Sequence, residues 1–316
     1  ETYLPFELCS SAKEMLDWCK ANNMPIRGHV LVWHSQCPDE AFCKDYTIVK
    51  TDNRLDPSCF VSRETMLARM ESYIDSAMKC MYENGYADII YAWDVVNEAF
   101  EPSDNQDGSL RNSYWYQVIG PDYIYYAFKY ARDAVDKYSK QYASLYGVDP
   151  SDEAALATIQ PKLFYNDYNE FQANKRDAII SYFTDDTISG HNIVGEGLID
   201  GMGMQAHLAD NTDIDQFVTA MRMYDEAFGE VHVTELDISQ TTTGVNAEHY
   251  QGVYYNSLFK AFIDEVENGV NLTSVTIWGL TDDNSWKKET RPLILNRDLS
   301  RKIAFDGIVN AVTGEK

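Results

Sequence analysis

The sequence predicts an α/β fold in which strands alternate with helices around a parallel sheet. Six strands are legible, two short of a closed (β/α)8 TIM barrel. Three observations predict it. Apolar, β-branched runs such as Ile89–Ile90 and Val95–Val96 read as strands covered on both faces, which a parallel sheet under helices requires. Amphipathic stretches of about 12 to 20 residues separate these runs, the mark of βα units. Two of the runs end on carboxylates, Glu98 in one and Glu235 with Asp237 in the other, and chemistry in such barrels collects at the carboxyl ends of the strands. A chain of 316 residues is ordinary for one barrel with insertions, so residues 1–316 read as a single domain.

In order, residues 10–23 place Met15, Leu16, Trp18 and Cys19 at helical spacing between the cap-like Ser10 and Asn22. The strand Ile26–His34 follows, and alternation along it puts His29, Leu31 and Trp33 on one face and His34 on the other. Residues 35–62 form a loop too long for a plain connector, which suggests a cleft wall. A helix over 63–84 carries Met66, Met70, Ile74 and Met81 on one face and stops at Gly85. After the Glu98 strand come a polar loop over 101–112 and a helix over 121–142, with Pro121 suited to its first turn. The strand 162–169 then ends in amides and tyrosines. A helix over 173–188 leads to the run 198–208, whose alternation puts Gly203, Gln205 and His207 on one face. The helix 213–228, the Glu235 strand, the helix 247–268, the strand 272–280 ending near Trp278, and a closing helix over 302–312 complete the pattern.

Composition narrows the partners. Lys and Arg total 26 against 50 Asp and Glu, a balance that repels nucleic acid and anionic lipid. Tyr, Phe and Trp number 22, 13 and 6, and flat rings with a polar tip suit sugar faces. Neither an apolar run long enough for a membrane span nor the basic and apolar regions of a signal peptide is present. The six cysteines, Cys9, Cys19, Cys37, Cys43, Cys59 and Cys80, include no Cys-x-x-Cys pair, so a zinc site is not expected. Their even count permits disulfides without showing any.

An Asn-Glu pair after an apolar run is commonly a helix cap followed by a first-turn acid. What favours chemistry is the second run of the same shape ending at Glu235. Five segments in order, Arg27–Gln36, Trp93–Glu98 (Trp-Asp-Val-Val-Asn-Glu), Gly203–His207, His232–Asp237 and Trp278–Asp282, resemble glycoside hydrolase family 10, mainly endo-1,4-β-xylanases on a (β/α)8 barrel. The resemblance covers nearly the whole chain.

It implies that Glu98 is the acid/base and Glu235 the nucleophile of a retaining double displacement, a pair that stands about 5 to 5.5 Å apart in such enzymes. It further implies that Asn97 holds the sugar 2-hydroxyl and that His207, between Glu235 and Asp237, orients the nucleophile. His29, Trp33, Gln36, Gln205, Trp278 and Trp286 match the lining of the glycone subsites, and Tyr168 a place near the scissile bond. His34 reads as structural. No metal or cofactor is implied. The substrate implied is xylan and its oligosaccharides, met outside the cell or at its surface.

On the same resemblance the six strands are the third to the eighth. The family's early Glu-Asn-x-x-Lys run does not occur before Arg27. The first two βα units are therefore expected to be supplied by an upstream segment of roughly 50 to 90 residues, with a carbohydrate-binding module appended or inserted there. Three rivals compete. A metal-dependent hydrolase would use His29, His34, His207, His232 and Glu235, but alternation points His29 away from His34 and His232 away from Glu235. A cellulase-like β-1,4-glycanase and a non-catalytic sugar-binding barrel are the others.

Overall fold

Apolar periodicity produces the expected elements with shifts of a few residues at their ends. The computed structural model describes residues 3–4, 6–103 and 110–314. They fall into two compact units, one reaching to Tyr165 and including Ser181–Asp200, the other made of Asn166–Ile180 and the residues from Gly201 on. Part of the expected polar loop, residues 104–109, lies outside the described residues.

In the first unit a helix, Ser10–Ala21, precedes strand β1 (Ile26–Trp33). The loop that follows is built from three 3-10 turns and a hairpin of two-residue strands, β2 (Lys50–Thr51) and β3 (Arg54–Leu55). Strand β4 (Ile90–Asn97) pairs with β1 in parallel, setting Gly28 opposite Trp93, His29 opposite Asp94 and Trp33 opposite Asn97. All of β4 except Tyr91 is buried, as its unbroken apolar run requires. Gly28 is needed because the Trp93 ring occupies the place of its side chain; a Cβ there would stand 2.3 Å from the ring. The helix Arg63–Glu83 begins where the Ser62 side chain accepts from the Thr65 amide, and packs against the helix Tyr123–Tyr142. Its Met66, Met70 and Ile74 are completely buried, each contributing about 1.5–3 kcal/mol of transfer free energy. Strand β5 (Lys162–Asp167) lies beside β4, and its last two residues belong to the second unit.

The second unit is organised on β8 (Val231–Ser239), buried as far as Ile238. It pairs in parallel with β6 (Gly201–Met204), β7 (His207–Ala209) and β9 (Leu272–Ile277), setting Gly203 opposite His232 and His207 opposite Asp237. The helices Ile214–Phe228 and Ala247–Glu267 pack on this part of the sheet, and the helix Ile303–Thr313 packs on the second of them. The last two approach closely because Gly252 and Gly307 face each other: a Cβ on Gly307 would stand 2.4 Å from the Gly252 carbonyl oxygen. Larger side chains there would force the helices apart.

Long strands β1, β4, β5, β6, β8 and β9 match the six expected among the described residues. Several details differ. Pro121 precedes the helix rather than entering its first turn, since Asp122 is the N-cap. Short helices Tyr114–Ile119 and Glu153–Ala157 stand in stretches for which the sequence predicts no element. Run 198–208 is two strands rather than one, because Ala206 turns into the left-handed region at φ 60°, so alternation does not carry from Gly203 through to His207. Among the described residues no helix is long and apolar enough to cross a membrane.

Candidate active site

In the first unit the chain leaves β4 at Asn97, which is 2% exposed, and Glu98 takes a left-handed backbone conformation at φ 54°. For a residue with a Cβ this costs about 1–2 kcal/mol. Neighbouring hydrogen bonds hold the turn. Arg111 donates from Nε to the Glu98 carbonyl at 2.9 Å and from its backbone amide to the Ala99 carbonyl at 2.7 Å, while the Ala99 amide donates to the Tyr165 hydroxyl at 2.9 Å. The turn aims the Glu98 carboxylate at the end of β1, where Trp33 donates from Nε1 to Oε2 at 3.1 Å. Trp33 is fixed in turn by Trp115, whose Nε1 donates to the Trp33 carbonyl at 2.9 Å.

His29 and His34 both meet the Trp33 ring edge-on, each at 5.9 Å between centroids. His34 Nδ1 also stands 3.9 Å from Glu98 Oε2. This corrects the assignment of His34 to the face opposite His29 and Trp33. The strand ends at Trp33 and its register shifts between His29 and Val32, so a period of two does not apply at residue 34. His29 Nδ1 lies 3.0 Å from Asp94 Oδ2, and Arg27 grips the same carboxylate through Nε and Nη2. Burial by itself would raise the Asp94 carboxyl, but Arg27 and His29 outweigh it and hold it below the usual range. Removing Arg27 would strip the buried Asp94 carboxylate of its guanidinium partner and leave it to His29, at a cost on the order of 3–5 kcal/mol. Gln36, exposed and left-handed at φ 53°, shares with His29, Trp33, Cys37 and Tyr46 the wall of a cavity of about 440 Å³.

In the second unit Glu235 lies within β8 and is 6% exposed. Asn166, at the end of β5, donates from Nδ2 to its Oε1 at 2.8 Å, and is itself held by the Thr234 hydroxyl. His207 Nε2 lies 3.2 Å from the other carboxylate oxygen, while its Nδ1 lies 2.9 Å from Asp237 Oδ2. Asp237 also accepts from Trp286 Nε1 at 2.9 Å and Lys287 Nζ at 3.1 Å. The Trp286 ring, 64% exposed, stands edge-on to His207, and Trp278, 38% exposed, follows the end of β9. Gln205 is buried; its carbonyl accepts from the Glu235 amide, and its own amide donates to the Asp167 carbonyl. Tyr168 lies under the Lys175 ammonium, 3.9 Å from its ring centroid, and Lys175 also pairs with Asp167.

Burial would lower the basicity of His207, but the hydrogen bonds it donates to Asp237 and Glu235 outweigh it and raise its pKa to about 9. It is therefore an imidazolium at neutral pH, a positive centre between two carboxylates. A free imidazole titrates near 6.5, so the stabilisation this cation provides is complete below about pH 6.5 and is lost as pH rises through about 9. That span corresponds to stability on the order of 3 kcal/mol. The gap in Tm between the wild type and His207→Gln is expected to be widest near pH 6 and to narrow towards about pH 10. A gap independent of pH would exclude the cation.

Residues to which the sequence assigned no catalytic or sugar-binding role thus complete both clusters: His34, Asp94, Arg27 and Arg111 in the first, Asn166 and Lys287 in the second. Asn166 was marked only by the amides closing its strand. Arg27, His34 and Asp94 stand inside segments that carry the resemblance, but their roles, like those of Arg111 and Lys287, are set by a partner distant in sequence. Glu170 is a further case. It is fully buried, its Oε1 accepts from the Ala206 amide at 3.3 Å, and its Oε2 meets no partner. Burial pushes its carboxyl up to about 8, so it braces the turn between Gln205 and His207 as a neutral acid.

The sequence matches the family described as "Glycosyl hydrolase family 10" over residues 6–311. That match gives no support to the expectation that the first two βα units are lacking. The chain is 36% identical over 307 residues to endo-1,4-beta-xylanase B of Butyrivibrio fibrisolvens, covering 95% of this chain and 42% of that protein. It is also 36% identical over 314 residues to endo-1,4-beta-xylanase A of Thermotoga maritima, covering 95% and 25%. It therefore spans less than half the length of these relatives. Among solved structures, a mutant of an intracellular xylanase from Thermoanaerobacterium saccharolyticum, in complex with xylotetraose, superimposes with a TM-score of 0.75 at 33% identity, over 95% of this chain and 80% of that one.

Proposed function

The chain belongs to glycosyl hydrolase family 10, and on that premise we propose that it is a retaining endo-1,4-β-xylanase cleaving internal bonds of xylan by double displacement. The observation that carries this reading is the Glu235 carboxylate, buried and gripped from one side by Asn166 and from the other by the His207 imidazolium. A carboxylate clamped at both oxygens is held ready to attack with little reorganisation. Supporting it is Glu98, turned out of β4 onto the indole N–H of Trp33.

In the proposed reaction Glu98 delivers its proton to the leaving glycosidic oxygen while Glu235 attacks the anomeric carbon, giving a glycosyl ester. Glu98, then a carboxylate, takes a proton from the water that attacks this carbon, and Glu235 leaves with configuration retained. Asn97 is assigned to the sugar 2-hydroxyl. His29, Trp33, Gln36, Gln205, Trp278 and Trp286 are assigned to sugar binding on the glycone side, and Tyr168 to a place near the scissile bond. Asp237, aided by Trp286 and Lys287, fixes the ring of His207 from behind. No metal or cofactor takes part in these steps. The proposal extends to action outside the cell or at its surface, where a polymer too large to cross a membrane is met, and to a carbohydrate-binding module in the same polypeptide. The test is reducing-sugar release from xylan and from carboxymethylcellulose. Release from xylan should dominate; release mainly from carboxymethylcellulose would make the chain a cellulase-like glycanase, and release from neither a binding protein.

A further inference from the structure

Among the six thiols, Cys43 and Cys59 stand apart from the rest because they meet. Their Sγ atoms are 3.1 Å apart, and both residues are buried, at 0% and 5% exposure. Each thiol is also aimed by its own backbone contact, Cys43 at the Asp39 carbonyl and Cys59 at the Val49 carbonyl. The pair sits at the neck of an exposed excursion of the loop that follows β1. At that neck Cys43 and Phe60 form an isolated antiparallel bridge, and the Val61 amide donates to the Phe42 carbonyl at 3.0 Å. Arg69, completely buried, ties the carbonyls of Ala41 and Cys43 together from beneath.

The neck touches the cluster around Glu98. Phe42 packs on the Trp115 ring at 4.9 Å between centroids, and Trp115 is the residue that holds the Trp33 carbonyl. Tyr46, Ala41 and Glu40 of the same loop line the cavity shared with His29, Trp33 and Gln36.

We propose that Cys43 and Cys59 are a disulfide-forming site that clamps the neck of this loop. Two thiols in contact on opposed strands need a closer approach of about 1 Å to bond, within the reach of side-chain rotation alone. The oxidant is a low-molecular-weight disulfide such as oxidised glutathione. The thiolate of one cysteine attacks a sulfur of the reagent and releases one reagent thiol. The thiolate of the other attacks the protein sulfur of this mixed disulfide and releases the second. Two electrons pass to the reagent, and the two cysteine protons end on the two released thiols. Burial and the neighbouring Cys59 thiol raise the Cys43 pKa, so little thiolate forms in the closed loop. The bond is therefore made while the loop is open, during folding, and is then shielded from reduction.

The experiment compares protein refolded with oxidised glutathione against protein refolded with dithiothreitol, using Cys37→Ala so that the tryptic peptide ending at Lys44 carries Cys43 alone. After alkylation in denaturant, the oxidised sample should contain that peptide joined to the one carrying Cys59, lighter by two hydrogens than the separate peptides. Its Tm should exceed that of the reduced sample by roughly 5 °C, from the constraint on a loop of this length. The same comparison in Cys37→Ala/Cys43→Ala/Cys59→Ala should show no difference. Full alkylation of both samples, Cys59 joined to another cysteine, or a Tm indifferent to reduction in the two-cysteine protein would overturn the proposal.

Discussion

Replacing Glu235 by alanine is expected to lower xylan hydrolysis on the order of 10⁴-fold or more, and replacing Glu98 by alanine about 10²- to 10⁴-fold, with the fold of each variant intact. The two losses differ in kind. Without the nucleophile no glycosyl ester forms, and no neighbour replaces it: Asn166 and Lys287 are an amide and an ammonium, and the nearby carboxylate Asp237 is held by His207, Trp286 and Lys287. Without Glu98 a good leaving group still departs, but the ester then waits for an unactivated water. Azide separates the roles. With an activated aryl xyloside, Glu235→Ala should give the α-glycosyl azide, since azide displaces the leaving group directly. Glu98→Ala should give the β product, since azide attacks the ester from the face the leaving group vacated. Exchanged products would exchange the two assignments. Unfolding of either variant, checked by circular dichroism, is not expected, since one is partly exposed at a turn and the other loses a charge whose partners Asn166 and His207 have second anchors in Thr234 and Asp237.

The second large effect concerns selectivity. Xylose differs from glucose by the absence of a hydroxymethyl group, and the family resemblance assigns Gln36 and Trp286 to the walls that exclude it. Gln36 is held in a left-handed turn on the rim of the cavity beside His29 and Trp33. Trp286 is mostly exposed, but its indole is anchored at one end by Asp237 and covered by the Lys287 ammonium at 4.7 Å. The anchored Trp286 ring does not give way freely, so an extra hydroxymethyl reaching it would meet a wall rather than a mobile chain. Discrimination of this size is worth about 1–3 kcal/mol, so Gln36→Ala and Trp286→Ala should each lower the xyloside-to-cellobioside ratio of kcat/KM by roughly 10- to 200-fold. The ratio is the informative quantity, because loss of a stacking surface lowers both rates and leaves it unchanged. A constant ratio in both variants would place selectivity elsewhere.

Much of this protein was determined by its sequence alone. Unbroken runs rich in β-branched residues specified β4 and β8, which are buried along nearly their whole length, because a strand covered on both faces needs no alternation to be recognised; β1, β5 and β9 were legible as apolar runs between helices. Capping residues and helical spacing placed the longer helices within a few residues, and carboxylates following two apolar runs marked Glu98 and Glu235. What only the tertiary structure decided is where periodicity stops. His34 lies one residue past β1 and turns to Glu98, and Ala206 enters the left-handed region and divides the run 198–208 into β6 and β7. The charge of His207 was equally beyond the sequence, for it arises when residues some thirty positions apart meet: burial disfavours the proton, and Glu235 and Asp237 together restore it. Period-two alternation describes a side chain's direction only while the backbone stays extended. A pKa depends on distances that no spacing along the chain encodes.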